Sequence, residues 1–219
     1  DGSFVLYDAA ADSWQIYNME QAVTRITPAS TYKIYIALAG LDSGVITPEQ
    51  SQISWDGQKN GLDTWNTDQT LESAMQHSVN WYFQAIDTRL GISAIKDYVR
   101  EFGYGNQQVN GDTASYWLTS SLKISPVEQV EMLQKLYDNE FQFAPETIET
   151  VKNSICLFST AEGTVYGKTG TEASDGRNVS GWFVGFLEKD GHTYFFATNI
   201  QKDDDATSAV ATELTFSIL

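Results

Sequence analysis

The reading turns on Pro28-Ala29-Ser30-Thr31-Tyr32-Lys33-Ile34-Tyr35-Ile36-Ala37-Leu38-Ala39-Gly40-Leu41-Asp42-Ser43-Gly44. Apolar residues recur there at helical spacing, Pro28 stands just upstream and Gly44 supplies a stop. The spacing predicts a helix with Ser30 at or near its N-terminus. Upstream, Ser3 to Tyr7 and Trp14 to Tyr17 alternate around an Ala-Ala-Asp-Ser loop and predict a hairpin. Downstream, Leu71 to Leu90, Ile92 to Phe102 and Pro126 to Asn139 read as helices. The last opens with Ser125-Pro126-Val127-Glu128, a serine cap followed by Pro at the first helical position and Glu three residues beyond the cap. After Pro145-Glu146 another helix is expected to about Cys156. Thr164 to Thr169, Gly181 to Leu187 and Thr193 to Ile200 then read as strands, the last two joined by Glu-Lys-Asp-Gly-His, before a final helix over Ala206 to Leu219. Strands at both ends of the chain around a central helical block predict an α+β fold with the termini brought together in one antiparallel sheet. Residues 1–219 are expected to form a single domain of two lobes with the site in the cleft between them.

Composition narrows the function classes. The chain has 219 residues, 42% hydrophobic and 13% aromatic, which excludes disorder. No apolar run approaches the ~18 residues of a membrane span, so direct membrane contact is not expected. Thirteen Lys+Arg stand against 29 Asp+Glu, a formal charge of −16, and such a field repels nucleic-acid phosphates and anionic lipid. The single cysteine, Cys156, excludes an internal disulfide; flanked by Ile155 and Leu157, it is expected to be a buried structural thiol. The chain begins at Asp1 with no Met, basic n-region or apolar h-region, as expected of a mature or excised piece from which an export signal or anchor has been cut. Asp203-Asp204-Asp205 is expected to be a solvated turn.

With only His77 and His192, a Ser-His-Asp triad is hard to place, and no His/Cys group has metal-ligand spacing, so no metal is expected. Both histidines are expected to be structural or exposed. Ser30 and Lys33 offer another pairing. Residues three apart on a helix share a face, so the lysine amine can reach the serine hydroxyl. An ordinary lysine is protonated at neutral pH, so burial must depress its pKa or chemistry must convert it. A helix N-terminus adds backbone N–H groups and partial positive potential near the reacting oxygen. Alone the pattern is weak, since Ser30 could merely cap a helix while Lys33 is solvated. Its company makes it specific: Ser78-Val79-Asn80, Tyr104-Gly105-Asn106 and Lys168-Thr169-Gly170 follow in order, the last directly before a β-hairpin.

Serine-x-x-lysine, serine-x-asparagine and Lys-Thr-Gly in this order resemble the set used by penicillin-binding proteins and serine β-lactamases. In that arrangement the second serine, here Ser78, relays a proton to the departing lactam nitrogen. Lys168 and Thr169 bind the substrate carboxylate, and their strand edge pairs with its amide. PASTYKIY, QHSVNWYF, YGN, YWLTSSLKISPVEQV, YGKTG and GWFVGF are similar to class D (oxacillinase-type) β-lactamases. They are more similar still to the extracellular penicillin-sensor domain of BlaR/MecR membrane signal transducers, and the resemblance spans nearly the whole chain. It implies a penicillin-recognising serine β-lactamase/transpeptidase-like fold, an antiparallel sheet flanked by helices plus a helical lobe. It also implies Ser30 as the acylated nucleophile, Lys33 carboxylated by carbon dioxide as its base, and Trp117 helping to hold that carbamate. The implied oxyanion hole is formed by the backbone N–H groups of Ser30 and Thr171.

Asn80 separates two readings. Oxacillinase-type enzymes commonly have an apolar residue, usually Val, at this position, whereas the sensors have Ser-Val-Asn. A carboxamide here can hydrogen-bond the lysine and favour its non-carboxylated form after acylation, so the adduct persists. The expectation is a β-lactam sensor domain on the outer face of a Gram-positive cell membrane, tethered to a membrane portion outside this chain. The alternative is a secreted or lipid-anchored class D β-lactamase, and a third reading is a transpeptidase acting on cell-wall peptides. One departure is that no Arg lies between Asn199 and Leu219, where many oxacillinase-type enzymes grip the substrate carboxylate. That contact is expected to rest on Lys168, Thr169 and Thr171, with Gly170 between them and Arg177 exposed.

Overall fold

The N-terminal hairpin forms as expected, with β1 (Gly2–Asp8) and β2 (Ser13–Tyr17) in register from Phe4 opposite Tyr17 to Asp8 opposite Ser13. The computed structural model describes residues 1–119 and 121–219. Four further strands, β3 (Cys156–Thr160), β4 (Gly163–Ser174), β5 (Arg177–Lys189) and β6 (His192–Gln201), complete an antiparallel sheet of order β2-β1-β6-β5-β4-β3. The two ends of the chain meet where β1 pairs with β6. Successive residues of a strand point to opposite faces. Val5, Trp182, Val184, Phe186, Phe195 and Ala197 therefore join the main core, while Phe4, Phe183, Phe196 and Ile200 join a second core with Ala206 and Ala211. The C-terminal helix, α7 (Ser208–Ile218), covers that second face, which is why β5 and β6 are apolar on both sides.

The main core lies under α1 (Met19–Ala22), a 3₁₀ turn at Ala29–Tyr32, α2 (Lys33–Asp42), α3 (Leu71–Gln76), α4 (Asn80–Phe102), α5 (Pro126–Tyr137) and α6 (Pro145–Ser154). Every residue of α2 from Lys33 to Leu41 is buried, making it the central helix of the block. The anticipated cap of α5 is present: Ser125 Oγ accepts from Glu128 N–H at 3.3 Å, and the Glu128 carboxylate accepts from Ser125 N–H at 2.9 Å. The α+β fold, with helices on both faces of an antiparallel sheet, is as the sequence predicts.

Three local expectations need correction. The helix expected over Leu71–Leu90 is two helices: it stops at Gln76, and Ser78 turns through φ +53° before α4 begins at Asn80. The turn is pinned by Val79 N–H on Ala74 O at 2.9 Å and by the Trp65 indole N–H on His77 O at 3.0 Å. Second, Cys156 is exposed. Ile155, 1% exposed, takes the buried position at the end of α6, and the chain then leaves as β3, an exposed edge strand the sequence reading missed. Third, β4 and β5 run longer than expected because Asp175-Gly176, both with positive φ, closes a two-residue hairpin between Ser174 and Arg177. His77, His192, Arg177 and Asp203–Asp205 are exposed, in line with expectation.

Candidate active site

Ser30 sits in the 3₁₀ turn immediately before α2, so it precedes a helix N-terminus as predicted; the buried hydroxyl of Thr31 donates to Pro28 O at 2.7 Å and fixes the turn. Gln129 of α5 donates to the same Thr31 hydroxyl at 2.8 Å and holds the turn from below. Lys33, three residues on, lies on the same face, and its Nζ is 3.0 Å from Ser30 Oγ. The broken helix brings in the second motif. Because Ser78 is in a turn rather than a helix, both its carbonyl oxygen, at 2.6 Å, and its hydroxyl, at 3.0 Å, face the same amine. Asn80, the first residue of α4, places its side-chain Oδ1 2.6 Å from Lys33 Nζ.

Lys33 is wholly buried among aromatic rings, with Phe83 at 5.5 Å and Trp117 at 5.4 Å from Nζ to ring centroid. Burial holds its pKa well below the ordinary lysine value, and nearby Lys168 pushes it in the same direction. Among the described residues no carboxylate forms a salt bridge with either lysine. A neutral amine has two N–H donors and one lone pair. The carbonyl oxygens of Ser78 and Asn80 take the donors, and the lone pair is left for a hydroxyl proton from Ser30 or Ser78.

The opposite wall is β4. Lys168 Nζ donates to Ser78 Oγ at 2.9 Å and to Thr169 O at 3.0 Å, so the Ser78 hydroxyl lies between two amines. Burial lowers the Lys168 pKa to about 7. β3 pairs with β4 only as far as Tyr166, and Gly167 N–H donates to Ile155 O at 2.8 Å. Strand alternation carries the N–H groups of Thr169 and Thr171 to that same side, beyond the reach of β3. This half of β4 is an open edge. Gly170 lies against the 3₁₀ turn; a Cβ there would stand 3.2 Å from both Pro28 O and Ser30 N, tighter than ordinary contact, so glycine lets the strand lie closest to the nucleophile. Beside Lys168 a cleft of about 230 Å³ opens, lined by Met75, Gln76, Ile155, Cys156, Leu157 and Thr169.

Ser30, Lys33, Ser78, Asn80, Lys168 and Gly170 thus converge, with Thr169 on the edge beside them. Thr171 is split: its backbone faces the open edge, while its hydroxyl accepts from Ser208 N–H at the start of α7, at 3.1 Å. Trp117 presents its ring face to Lys33, but its N–H donates to Asp87 Oδ2 at 3.1 Å. Tyr104-Gly105-Asn106 supports rather than lines the site. Tyr104 is buried against Tyr32 and Tyr35, and Asn106 ties the loop through Lys123 N–H and Ser121 O.

The sequence reading missed Asp87 and Phe83. Both lie on the face of α4 that carries Asn80, Phe83 three and Asp87 seven residues along, and an acid among the apolar Tyr82, Phe83 and Ile86 was the available signal. Burial raises the Asp87 pKa well above the carboxylate range, opposed by hydrogen bonds from Tyr116 and Trp117.

Residues 2–219 match the family described as the penicillin binding protein transpeptidase domain. Regulatory protein BlaR1 of Bacillus licheniformis is 44% identical over 218 residues, covering 100% of this chain and 36% of that protein. The chain therefore spans little more than a third of that relative's length. Beta-lactamase OXA-10 of Pseudomonas aeruginosa is 36% identical over 211 residues, 94% of this chain and 78% of that protein. Among solved structures, the C-terminal domain of the Bacillus licheniformis BlaR penicillin-receptor superposes with a TM-score of 0.96 at 43% identity, covering 100% of this chain and 89% of that one.

Proposed function

Because the chain belongs to the penicillin-binding protein transpeptidase domain family, we propose that it is a β-lactam sensor domain, acylated at Ser30 and slow to release the acyl group. The 2.6 Å contact between Asn80 Oδ1 and Lys33 Nζ carries this reading.

Ser30 Oγ attacks the lactam carbonyl carbon as its proton passes to Lys33, whose buried, neutral state suits it to accept one. The ring C–N bond breaks, and Ser78 passes a proton to the departing nitrogen from its position between the two lysines. The N–H groups of Ser30 and Thr171 stabilise the developing oxyanion, and Lys168, with Thr169 and Thr171, receives the substrate carboxylate. The apolar walls of Phe83 and Trp117 and the unprotonated amine suit Lys33 to carboxylation by carbon dioxide. Carbon dioxide so bound would supply a carboxylate base in place of the amine.

Persistence of the adduct follows from Asn80. Its carbonyl and that of Ser78 stabilise N–H groups on Lys33, favouring the free amine over the carboxylated form once acylation is complete. The base that would activate a hydrolytic water is then missing. The likeness to the BlaR penicillin-receptor supports the same reading, with the domain on the outer face of the membrane and tethered to a portion that signals. The second reading, a class D β-lactamase, rests on the 36% identity to Beta-lactamase OXA-10 of Pseudomonas aeruginosa.

The test is incubation with a chromogenic cephalosporin, followed by intact-mass analysis. One equivalent of product and a mass adduct stable for hours are expected, absent in Ser30→Ala. Sustained turnover would favour the hydrolase, and an adduct that survives Ser30→Ala would remove the nucleophile assignment.

A further inference from the structure

We propose that Asp87 is a positioning residue for the lysine: by accepting the indole N–H of Trp117, it withholds that donor from a carboxyl group on Lys33 and weakens carbon dioxide binding there. The proposal rests on reading Lys33 as the residue that is carboxylated.

In that reaction the Lys33 nitrogen forms a bond to the carbon of carbon dioxide and loses one proton to water, leaving a negatively charged group with two oxygens. Those oxygens need donors, because a buried charge without partners is costly. The nearest polar atoms on the α4 side are acceptors, the carbonyl oxygens of Ser78 and Asn80, each 2.6 Å from Nζ. Phe83 and Val79 offer none, and the Ser78 hydroxyl is shared with Lys168 at 2.9 Å. The remaining donors are the Ser30 hydroxyl, the Asn80 NH₂ once the carboxamide that now turns its oxygen to Lys33 is flipped, and the Trp117 indole. Nζ lies over the Trp117 ring, 5.4 Å from its centroid, so a group extending two bonds beyond Nζ comes against the indole and meets its N–H once the ring turns.

That indole N–H is occupied. It donates to Asp87 Oδ2 at 3.1 Å, while Asp87 Oδ1 accepts from the Tyr116 hydroxyl at 3.2 Å. Asp87 is 1% exposed and Trp117 and Tyr116 no more so, so bulk water reaches none of the three. To serve the carboxylated lysine, Trp117 must abandon a buried acceptor, which forfeits most of what it would gain. Asp87 and Asn80 thereby act together from one face of α4: Asn80 favours the amine, and Asp87 denies its carboxylated form a partner.

Titration with ¹³C-bicarbonate, following the carbamate carbonyl resonance by NMR, reads this directly. Asp87→Ala frees the indole and is expected to bind carbon dioxide about tenfold more tightly, the effect of one hydrogen bond to a charged group. Asp87→Asn, which keeps an acceptor for Trp117, is expected to match the parent, and Trp117→Phe in the Asp87→Ala background to lose the gain. Trp117→Phe alone is informative even if Asp87→Ala fails to fold. With Asp87 present the affinity should not change, because the N–H is already withheld, and a tenfold loss would overturn the proposal. Equal affinity in folded Asp87→Ala and parent proteins would also overturn it, as would a gain that survives Trp117→Phe. A resonance absent from every variant removes carboxylation and the proposal together. Acylation is judged separately by the benzylpenicillin mass adduct, so loss of the carboxylation result and loss of the sensor reading are distinguishable.

Discussion

Lys33 and Lys168 both approach Ser78 Oγ, at 3.0 and 2.9 Å, yet they belong to different kinds of surroundings. Lys33 is enclosed by the helical block, with carbonyl oxygens on its N–H groups and aromatic rings on its flanks. Lys168 is carried by a strand whose outer edge is unpaired from Thr169 onward, beside a cleft. The dry side suits proton transfer, because burial removes the proton an ordinary lysine would keep. The edge side suits binding, because backbone N–H groups and a titratable ammonium face the same opening. On the proposed reading, acid–base chemistry and substrate binding are divided between two lysines rather than assigned to a histidine.

The comparison breaks most sharply at Lys33. Lys33→Ala is expected to lower the rate of adduct formation with benzylpenicillin by about a thousandfold, the middle of the range for losing a general base, with little change in the half-saturating drug concentration. A rate within a few fold of the parent would make Lys33 a packing residue. Lys168→Ala should do the opposite. It should raise the half-saturating concentration roughly ten- to a hundredfold, as for a lost charge-assisted hydrogen bond, while leaving the limiting rate within a few fold.

The two lysines also part in pH. Below its pKa of about 7 Lys168 is an ammonium, the form that on the proposed reading binds the drug carboxylate; above it the charge is lost. The acylation efficiency should therefore fall as pH rises through about 7 in the parent, and this limb should vanish in Lys168→Ala. Lys33 must instead be neutral to act, and with its pKa well below the ordinary value the rate should rise with pH only on the far acidic side. Pre-steady-state acylation rates across pH would show both limbs. The smallest effect is expected at Asn80. Asn80→Val removes the carbonyl on Lys33 and should speed deacylation about tenfold, with acylation little changed. An unchanged adduct lifetime, measured by mass or by recovery of drug binding, would detach persistence from Asn80.

Much of this was legible in advance because its signals are local. Ser30 and Lys33 share a face by spacing alone, Ser125-Pro126-Val127-Glu128 announces its own cap, and the strands at the two ends alternate. Where reading failed, a local rule was overridden by packing. Leu71–Leu90 has unbroken helical periodicity, but Trp65 and Ala74 hold His77–Val79 in a turn, and that break turns Ser78 toward Lys33. Cys156 sits between apolar neighbours yet faces water, because Ile155 alone fills the hydrophobic position there. Asp87 carried no recognisable motif, and its partners lie 29 and 30 residues away.

The sequence by itself determined which residues to bring to the candidate site: two serines, two lysines and a glycine, in an order whose spacing leaves few alternatives. It also determined the alternating and helical patterns that build an antiparallel sheet with helices on both faces. Only the tertiary structure decided the state of those groups. Whether a lysine carries a proton depends on what surrounds it, and the rings, carbonyl oxygens and open strand edge around Lys33 and Lys168 come from segments far apart in the chain. The same holds for Trp117, whose N–H is taken by a buried acid, Asp87, that no neighbouring residue reveals.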